Sequence, residues 1–162
     1  MTAALTQRTD EWLNFRKKGV GASDAPIIMG VSPWKTLFQL WQEKLDLRTP
    51  PVVNFVDKEE EARQFFQKEM GVQVSPDIII HPEIKWMFAS LDGLNREKNI
   101  LLEIKSSGQK DHHFVRDNKM VPEKYYPQLQ HQMEVVGLDK CYYFSYVNEH
   151  DNIILEIKRD DE

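Results

Sequence analysis

The chain has 162 residues, 41% of them hydrophobic and 29% charged, with a net charge of −5. This is the size and balance of one globular domain with a moderate core. No apolar run approaches the roughly 18 residues of a membrane span, and the stretch from Met1 to Arg8 lacks the basic-then-apolar pattern of a secretory signal. The single cysteine, Cys141, excludes an internal disulfide framework and a four-cysteine zinc or iron–sulfur site. One domain spanning 1–162, in the cytoplasm, is the expectation. The negative charge neither supports nor excludes a nucleic-acid partner, because net charge describes no particular surface. Three of the negative charges, Asp160, Asp161 and Glu162, fall on an end expected to fray.

In chain order, Thr9 followed by Asp10 and Glu11 predicts a helix start, with acids where the helix dipole favours them. That helix carries Trp12, Phe15 and Arg16, and Gly19 can end it. Residues 19–25 read as a small-residue loop in which Ser23 caps a short apolar helix, Ala25 to Met29. Thr36 and Gln39 form a capping-box pattern ahead of Leu37, Leu40, Trp41 and Leu45, and Pro50-Pro51 breaks the chain. A helix is predicted from Lys58 to Met70, stopped by Gly71. Three strands follow: Val72 to Val74 with Ile78 to Ile80, Trp86 to Asp92, and Ile100 to Ser106, the last two joined by the polar turn Asn95 to Asn99. Gln109 to Lys124 reads as a mixed segment to which no element is assigned. Pro127 suits the first turn of a helix ending at Val136, with Gly137 as its stop. Cys141 to Val147 and Ile153 to Lys158 then read as a closing hairpin. The order of elements predicts an α/β domain.

Chemistry concentrates on the second and third strands. Side chains alternate faces along a strand, so Phe88, Ser90 and Asp92 share one side, as do Leu101, Glu103 and Lys105. Folding the hairpin about Asn95 to Asn99 sets Asp92 opposite Leu102 or Glu103. Two carboxylates and an amine then meet between apolar strands. Adjacent, partly dry carboxylates repel, and a divalent cation resolves the conflict; oxygen-only ligands suit Mg²⁺ or Mn²⁺. Lys105 can orient a water and offset phosphate charge, a set fit for metal-assisted phosphodiester hydrolysis. Glu-x-Lys on a strand equally describes an exposed cross-strand face, with Asp92-Gly93 a simple turn. On the helix from Lys58, the apolar stripe is Ala62, Phe65, Phe66 and Met70, and Glu59 borders it while Glu60 and Glu61 point away. Three solvated glutamates near a helix N-terminus is the alternative.

Other residues carry less. His112-His113 reads as a surface pair, because adjacent residues project differently and no third ligand has suitable spacing. His131 reads as packed or surface, and Cys141 as core. Trp12 and Trp41 fit helical core faces, whereas Trp34, in Ser32-Pro33-Trp34-Lys35, is a candidate for stacking on bases. Lys110, Lys119 and Lys124 either track phosphates or are solvated.

Ser90-Leu91-Asp92-Gly93 with Leu102-Glu103-Ile104-Lys105 resembles the PD-(D/E)XK nuclease signature, with Ser-x-Asp in place of Pro-Asp. Three further blocks make the resemblance more specific: Arg16-Lys-Lys-Gly-Val-Gly-Ala-Ser23-Asp24, Glu59-Glu-Glu-Ala-Arg63 and Tyr125-Tyr-Pro-Gln128-Leu-Gln130. In that order they resemble the YqaJ-like viral recombinase family, to which phage lambda exonuclease belongs, over most of the chain. The resemblance implies a restriction-endonuclease-like core, a central mixed β-sheet flanked by helices. It implies Mg²⁺, with Mn²⁺ as substitute, held by Asp92, Glu103, the Ile104 carbonyl and Glu59. Lys105 would be the catalytic lysine, with Gln128 and Tyr125 beside it. Arg16, Ser23 and Ser90 would hold a terminal 5′-phosphate. The implied activity is 5′-to-3′ exonuclease action on double-stranded DNA ends in phage recombination or DNA processing. An annealing recombinase is the implied partner, and a homo-oligomer is left open. An endonuclease or nickase on the same core, and a DNA-binding module without catalysis, are the alternatives.

Overall fold

The computed structural model describes residues 6–7, 9–50, 58–106 and 108–161. Residues 1–5, Arg8, Pro51 of the proline break and the terminal Glu162 lie outside them. The described residues form a six-stranded mixed sheet with helices on both faces, the α/β architecture expected. Among the described residues, no helix is long and apolar enough to cross a membrane.

Helix α1 (Asp10–Lys17) starts at Thr9, whose hydroxyl accepts the Trp12 N–H at 3.2 Å. Strand β1 (Val20–Gly21) follows and then a 3-10 turn, Ala22–Asp24. Helix α2 (Ala25–Ile28) is one turn long and has no side-chain cap. Ser23 therefore does not cap it; the hydroxyl accepts from Arg16 instead, at 2.7 Å. Helix α3 (Leu37–Lys44) begins with the full Thr36/Gln39 capping box. Helix α4 (Glu59–Met70) leads to strand β2 (Ser75–Ile80), and Val72 to Val74 are not part of that strand.

Strands β3 (Met87–Asn95) and β4 (Ile100–Lys105) form the expected hairpin. Gln109–Asn118, part of the segment read as mixed, is helix α5. Helix α6 (Tyr126–Val136) has Pro127 in its first turn, where the missing N–H costs nothing. Gly137 ends α6 at φ 75°, a left-handed conformation that glycine adopts without a Cβ clash. Strands β5 (Lys140–Asn148) and β6 (Asp151–Lys158) close the sheet. The C-terminal end is tied rather than frayed at Asp160, whose N–H reaches Gln130 Oε1 at 2.9 Å.

Two pairings are parallel, β1 with β3 and β4 with β5; the rest are antiparallel. Phe88 is partnered by Gly21 on one side and Ile80 on the other, and Leu94 by Leu101 and Ser75. Strands β1 and β4 thus share one edge of β3, at opposite ends of it. The β3–β4 pairing stops at Gly93↔Leu102, so a fork opens where Asp92 and Glu103 face each other. A bulge lies at the same place. From Ser75 to Asp77, β2 advances two residues while β3 covers three, Leu94 to Leu91. Bulges re-aim side chains and release pairing. Strict alternation consequently fails at this point: Ala89, Leu91 and Leu94 all pack in one cluster.

That cluster lies under α5 and α6 and includes Leu101, Val115, Leu129, Met133 and Tyr143. A second cluster on the α4 face joins Ala62, Phe66, Leu102, Ile104 and Phe144. The two faces of β4 divide as its alternation predicts. The α4 stripe is narrower than expected, since Met70 is exposed and Arg63 is buried. Gly19 passes close to the sheet at the other end of β3; a Cβ there would lie 2.3 Å from the Trp86 carbonyl oxygen.

Candidate functional site

A cavity of about 190 Å³ occupies the fork, lined by Asp92, Glu103, Glu59 and Gln128 and, toward the N-terminal helices, by Arg16, Ser23 and Ser90. Of the residues assigned to a site in sequence, these seven line one pocket, whereas Lys105 and Tyr125 line the cleft beside it.

Glu103 is only 3% exposed, and its orientation is set from α6. Gln128 Nε2 donates to Oε1 at 2.6 Å and Gln132 Nε2 to Oε2 at 2.6 Å. The two glutamines are four apart and so project from the same helix face. Lys105 Nζ pairs with Glu103 Oε1 at 2.6 Å and donates to Gln128 Oε1 at 3.1 Å. Its ammonium also sits 4.9 Å above the Tyr125 ring, and the Tyr125 hydroxyl donates to Asp111 Oδ2 at 2.9 Å.

Asp92 Oδ2 accepts the Ile104 N–H at 2.8 Å, a bond that replaces strand pairing where the hairpin forks. Burial, then the charges of Glu103 and Glu59, push the Asp92 carboxyl well above the usual carboxylate range, against the opposing pull of Lys105 and the Ile104 N–H. Burial alone would lower Lys105, but Glu103 and Asp92 outweigh it and hold the amine above its ordinary value. The Asp92 and Glu103 carboxylates thus sit close together, with the Lys105 ammonium paired to Glu103.

Glu59 faces inward as its helical position predicts, with 22% of its side chain exposed against 68% for Glu60. It is turned to Arg63, which sequence reading passed over. This buried guanidinium pairs with Glu59 and Glu60, and its Nε donates to the Asp92 carbonyl at 2.7 Å. The i,i+4 Glu–Arg spacing was the available signal. Glu61 does not simply point to solvent; it accepts the Tyr146 hydroxyl at 2.7 Å. Among the described residues, no three acidic, histidine or cysteine side chains converge as a ready-made ligand set.

Across the pocket, Arg16 NH2 lies 2.7 Å from Ser23 Oγ and 3.6 Å from Asp24. Asp24, also passed over, is buried and accepts from the Gly21 N–H at 3.0 Å and Lys44 Nζ at 2.6 Å. Ser90 Oγ accepts the Trp12 indole N–H at 3.0 Å.

Several readings need correction. His112 is not a surface residue; it is buried, with Nδ1 2.8 Å from Ser145 Oγ and Nε2 2.8 Å from Asp151 Oδ1. Trp41 is half exposed and stacks on Phe38 rather than on the core. Two other readings hold: His131 is packed, its Nε2 2.9 Å from the Phe88 carbonyl oxygen, and Cys141 is core.

The model of the YqaJ-like viral recombinase domain matches residues 11–139. The uncharacterized protein YqaJ of Bacillus subtilis (strain 168) is 32% identical over 168 residues, covering 94% of this chain but 51% of its own length. The chain therefore spans about half the length of that curated relative. Among solved structures, the alkaline exonuclease LHK-Exo of Laribacter hongkongensis superposes with a TM-score of 0.76, at 26% identity over 94% of this chain and 84% of its own. Its complex with dAMP gives a TM-score of 0.77 at the same identity and coverage. A phage-related exonuclease of Haemophilus somnus 129PT shares the fold, with a TM-score of 0.58 at 13% identity over 88% of this chain and 85% of its own. The chain, with its forked hairpin and four motif blocks in order, belongs to the YqaJ-like viral recombinase family.

Proposed function

We propose that the chain is a metal-dependent deoxyribonuclease that hydrolyses phosphodiester bonds at double-stranded DNA ends, proceeding 5′ to 3′. The observation that carries the reading is one pocket shared by Asp92, Glu103, Arg16, Ser23 and Ser90, with Lys105 paired to Glu103 at its edge. Membership of the family and the likeness to an alkaline exonuclease support it.

The donors fit a hard divalent cation. They are all oxygens, and the Asp92 and Glu103 carboxylates face each other across a fork, where the Glu103 charge raises the cost of charging Asp92. Asp92, Glu103 and the Ile104 carbonyl would hold Mg²⁺, or Mn²⁺ in its place, with Glu59 completing the environment from α4. When bound, the cation neutralises the acid pair and draws charge from the phosphate oxygens.

The chain's own groups do the positioning. Gln128 and Gln132 fix both oxygens of Glu103, so its carboxylate does not have to reorganise. Lys105, held between Glu103 and Gln128, is a fixed donor that orients the attacking water and offsets charge on the phosphate. Arg16, with the Ser23 and Ser90 hydroxyls, would bind a terminal 5′-phosphate, for which a guanidinium fork is well shaped. Double-stranded DNA is the proposed substrate, and a single-strand annealing protein would receive the strand exposed.

The test compares linear DNA with 5′-phosphate, linear DNA with 5′-hydroxyl and closed circular DNA, with and without Mg²⁺. Cleavage of the phosphorylated linear DNA that requires Mg²⁺ and is lost in Asp92→Asn, Glu103→Gln and Lys105→Ala is expected. Undiminished cutting by all three variants, or efficient cutting of the circle, refutes the reading.

A further inference from the structure

A second cleft, of about 310 Å³, adjoins the acid pocket and shares Arg16, Ser23 and Gln128 with it. Among the described residues, four cations line it, Arg16, Lys35, Lys105 and Lys124, against one acid, Asp24. On a chain of net charge −5, this local excess of positive charge suits an anionic ligand. Trp34 forms part of its wall yet remains 65% exposed.

Exposure of so large a ring is costly in water, and the ring is not loose. The Trp34 backbone N–H donates to Ser32 Oγ at 3.3 Å, after the stiff Pro33, which fixes the chain that carries the ring. The Lys124 ammonium sits 4.7 Å from the ring centroid and is itself fixed by Asp111 at 2.8 Å. The Tyr125 ring lies 5.9 Å away, tilted by 31°, and the Lys105 ammonium that pairs with Glu103 sits 4.9 Å from the centroid of that same ring. Trp34 thus stands at the far end of a short relay of cations and rings, with Asp92 and Glu103 at the near end. A planar apolar surface bordered by cations, in a cleft that shares Arg16, Ser23 and Gln128 with the acid pocket, matches what stacks a base and holds its backbone.

We infer that Trp34 is a stacking platform for a nucleobase of the strand whose phosphate lies in the acid pocket. This rests on the nuclease reading above and names a subsite within it. An indole face recognises any base, so the subsite confers grip without sequence preference.

Equilibrium binding separates the subsite from the chemistry. Deoxyadenosine 5′-monophosphate and 2-deoxyribose 5-phosphate, titrated calorimetrically into the whole protein, differ only in the base. The base is expected to tighten binding by about tenfold, the lower part of the range for stacking on an aromatic ring. Trp34→Ala should abolish that difference while leaving the sugar phosphate affinity unchanged, and Trp34→Phe should keep part of it. Equal binding of the two ligands by the parent protein overturns the inference. So does Trp34→Ala that retains the full base preference or weakens both ligands alike. The nuclease reading is judged separately, by the Mg²⁺-dependent cleavage that the Asp92, Glu103 and Lys105 variants lose; a missing base preference in a protein that still cuts removes the subsite alone.

Discussion

Replacing Arg63 with alanine tests how the helix acid and the strand acid are held together. The guanidinium is buried and serves three acceptors, the carboxylates of Glu59 and Glu60 and the Asp92 carbonyl. The exposed Glu60 pair contributes roughly 0–1 kcal/mol. Leaving a buried carbonyl without its donor costs about 1–3 kcal/mol. Stripping one partner from a buried pair costs about 3–5 kcal/mol, and Glu59, 22% exposed at its side chain, recovers much of that by hydration. A net loss of about 3 kcal/mol is expected, which for a domain this size lowers Tm by roughly 6–12 °C. Urea titration with an unchanged m-value measures it directly. Glu60→Gln should change stability by less than about 0.5 kcal/mol. Adding Glu59→Gln to Arg63→Ala should restore part of the loss, because the uncompensated charge goes with it. The reasoning fails if Arg63→Ala is as mild as Glu60→Gln, or if the second substitution deepens the loss.

Three further outcomes are expected. Burial, then the nearby Glu103 charge, pushes the Cys141 thiol up to about 12, so Ellman's reagent at pH 8 should label it only after denaturant is added; fast labelling of the folded protein would contradict its core placement. Burial, then the hydrogen bond to Glu61, pushes the Tyr146 hydroxyl up to about 12. The folded state favours the protonated phenol, so this contribution is complete below the ordinary value of about 10 and is lost as pH rises toward 12; absorbance at 295 nm should show a tyrosine titrating late and together with unfolding. His112→Ala should cost about 2 kcal/mol, since it leaves the buried Ser145 hydroxyl unpaired between β5 and α5, measured by thermal melting with Asp151→Asn, exposed on the hairpin, as the milder comparison.

The parts of the site legible in sequence are those governed by short periods. The β3–β4 hairpin, the shared face of Glu103 and Lys105 and the inward placement of Glu59 all follow from counting residues on a strand or a helix. What escaped depends on the chain's third dimension. Strand β1 is two residues long, too short to show alternation, and exists because Gly19 lets the backbone approach β3. The bulge at Asp92 is visible only as a mismatch between two strands. Arg63, Asp24 and Gln132 are polar residues that sequence habit places in water, and each is buried because another polar group needs it. His112 was misplaced for the same reason: its two partners lie 33 and 39 residues away.

The Trp86 carbonyl accepts the Val20 N–H at 2.7 Å and leaves no room for a methyl group on the preceding residue. The arm that carries Arg16 and Ser23 is thereby latched to the strand that carries Ser90 and Asp92 through a contact that only hydrogen can occupy. Enlarging that one position would move an entire wall of the pocket relative to its floor while leaving every proposed ligand and donor chemically intact, and a protein so altered would keep all its parts and lose their alignment.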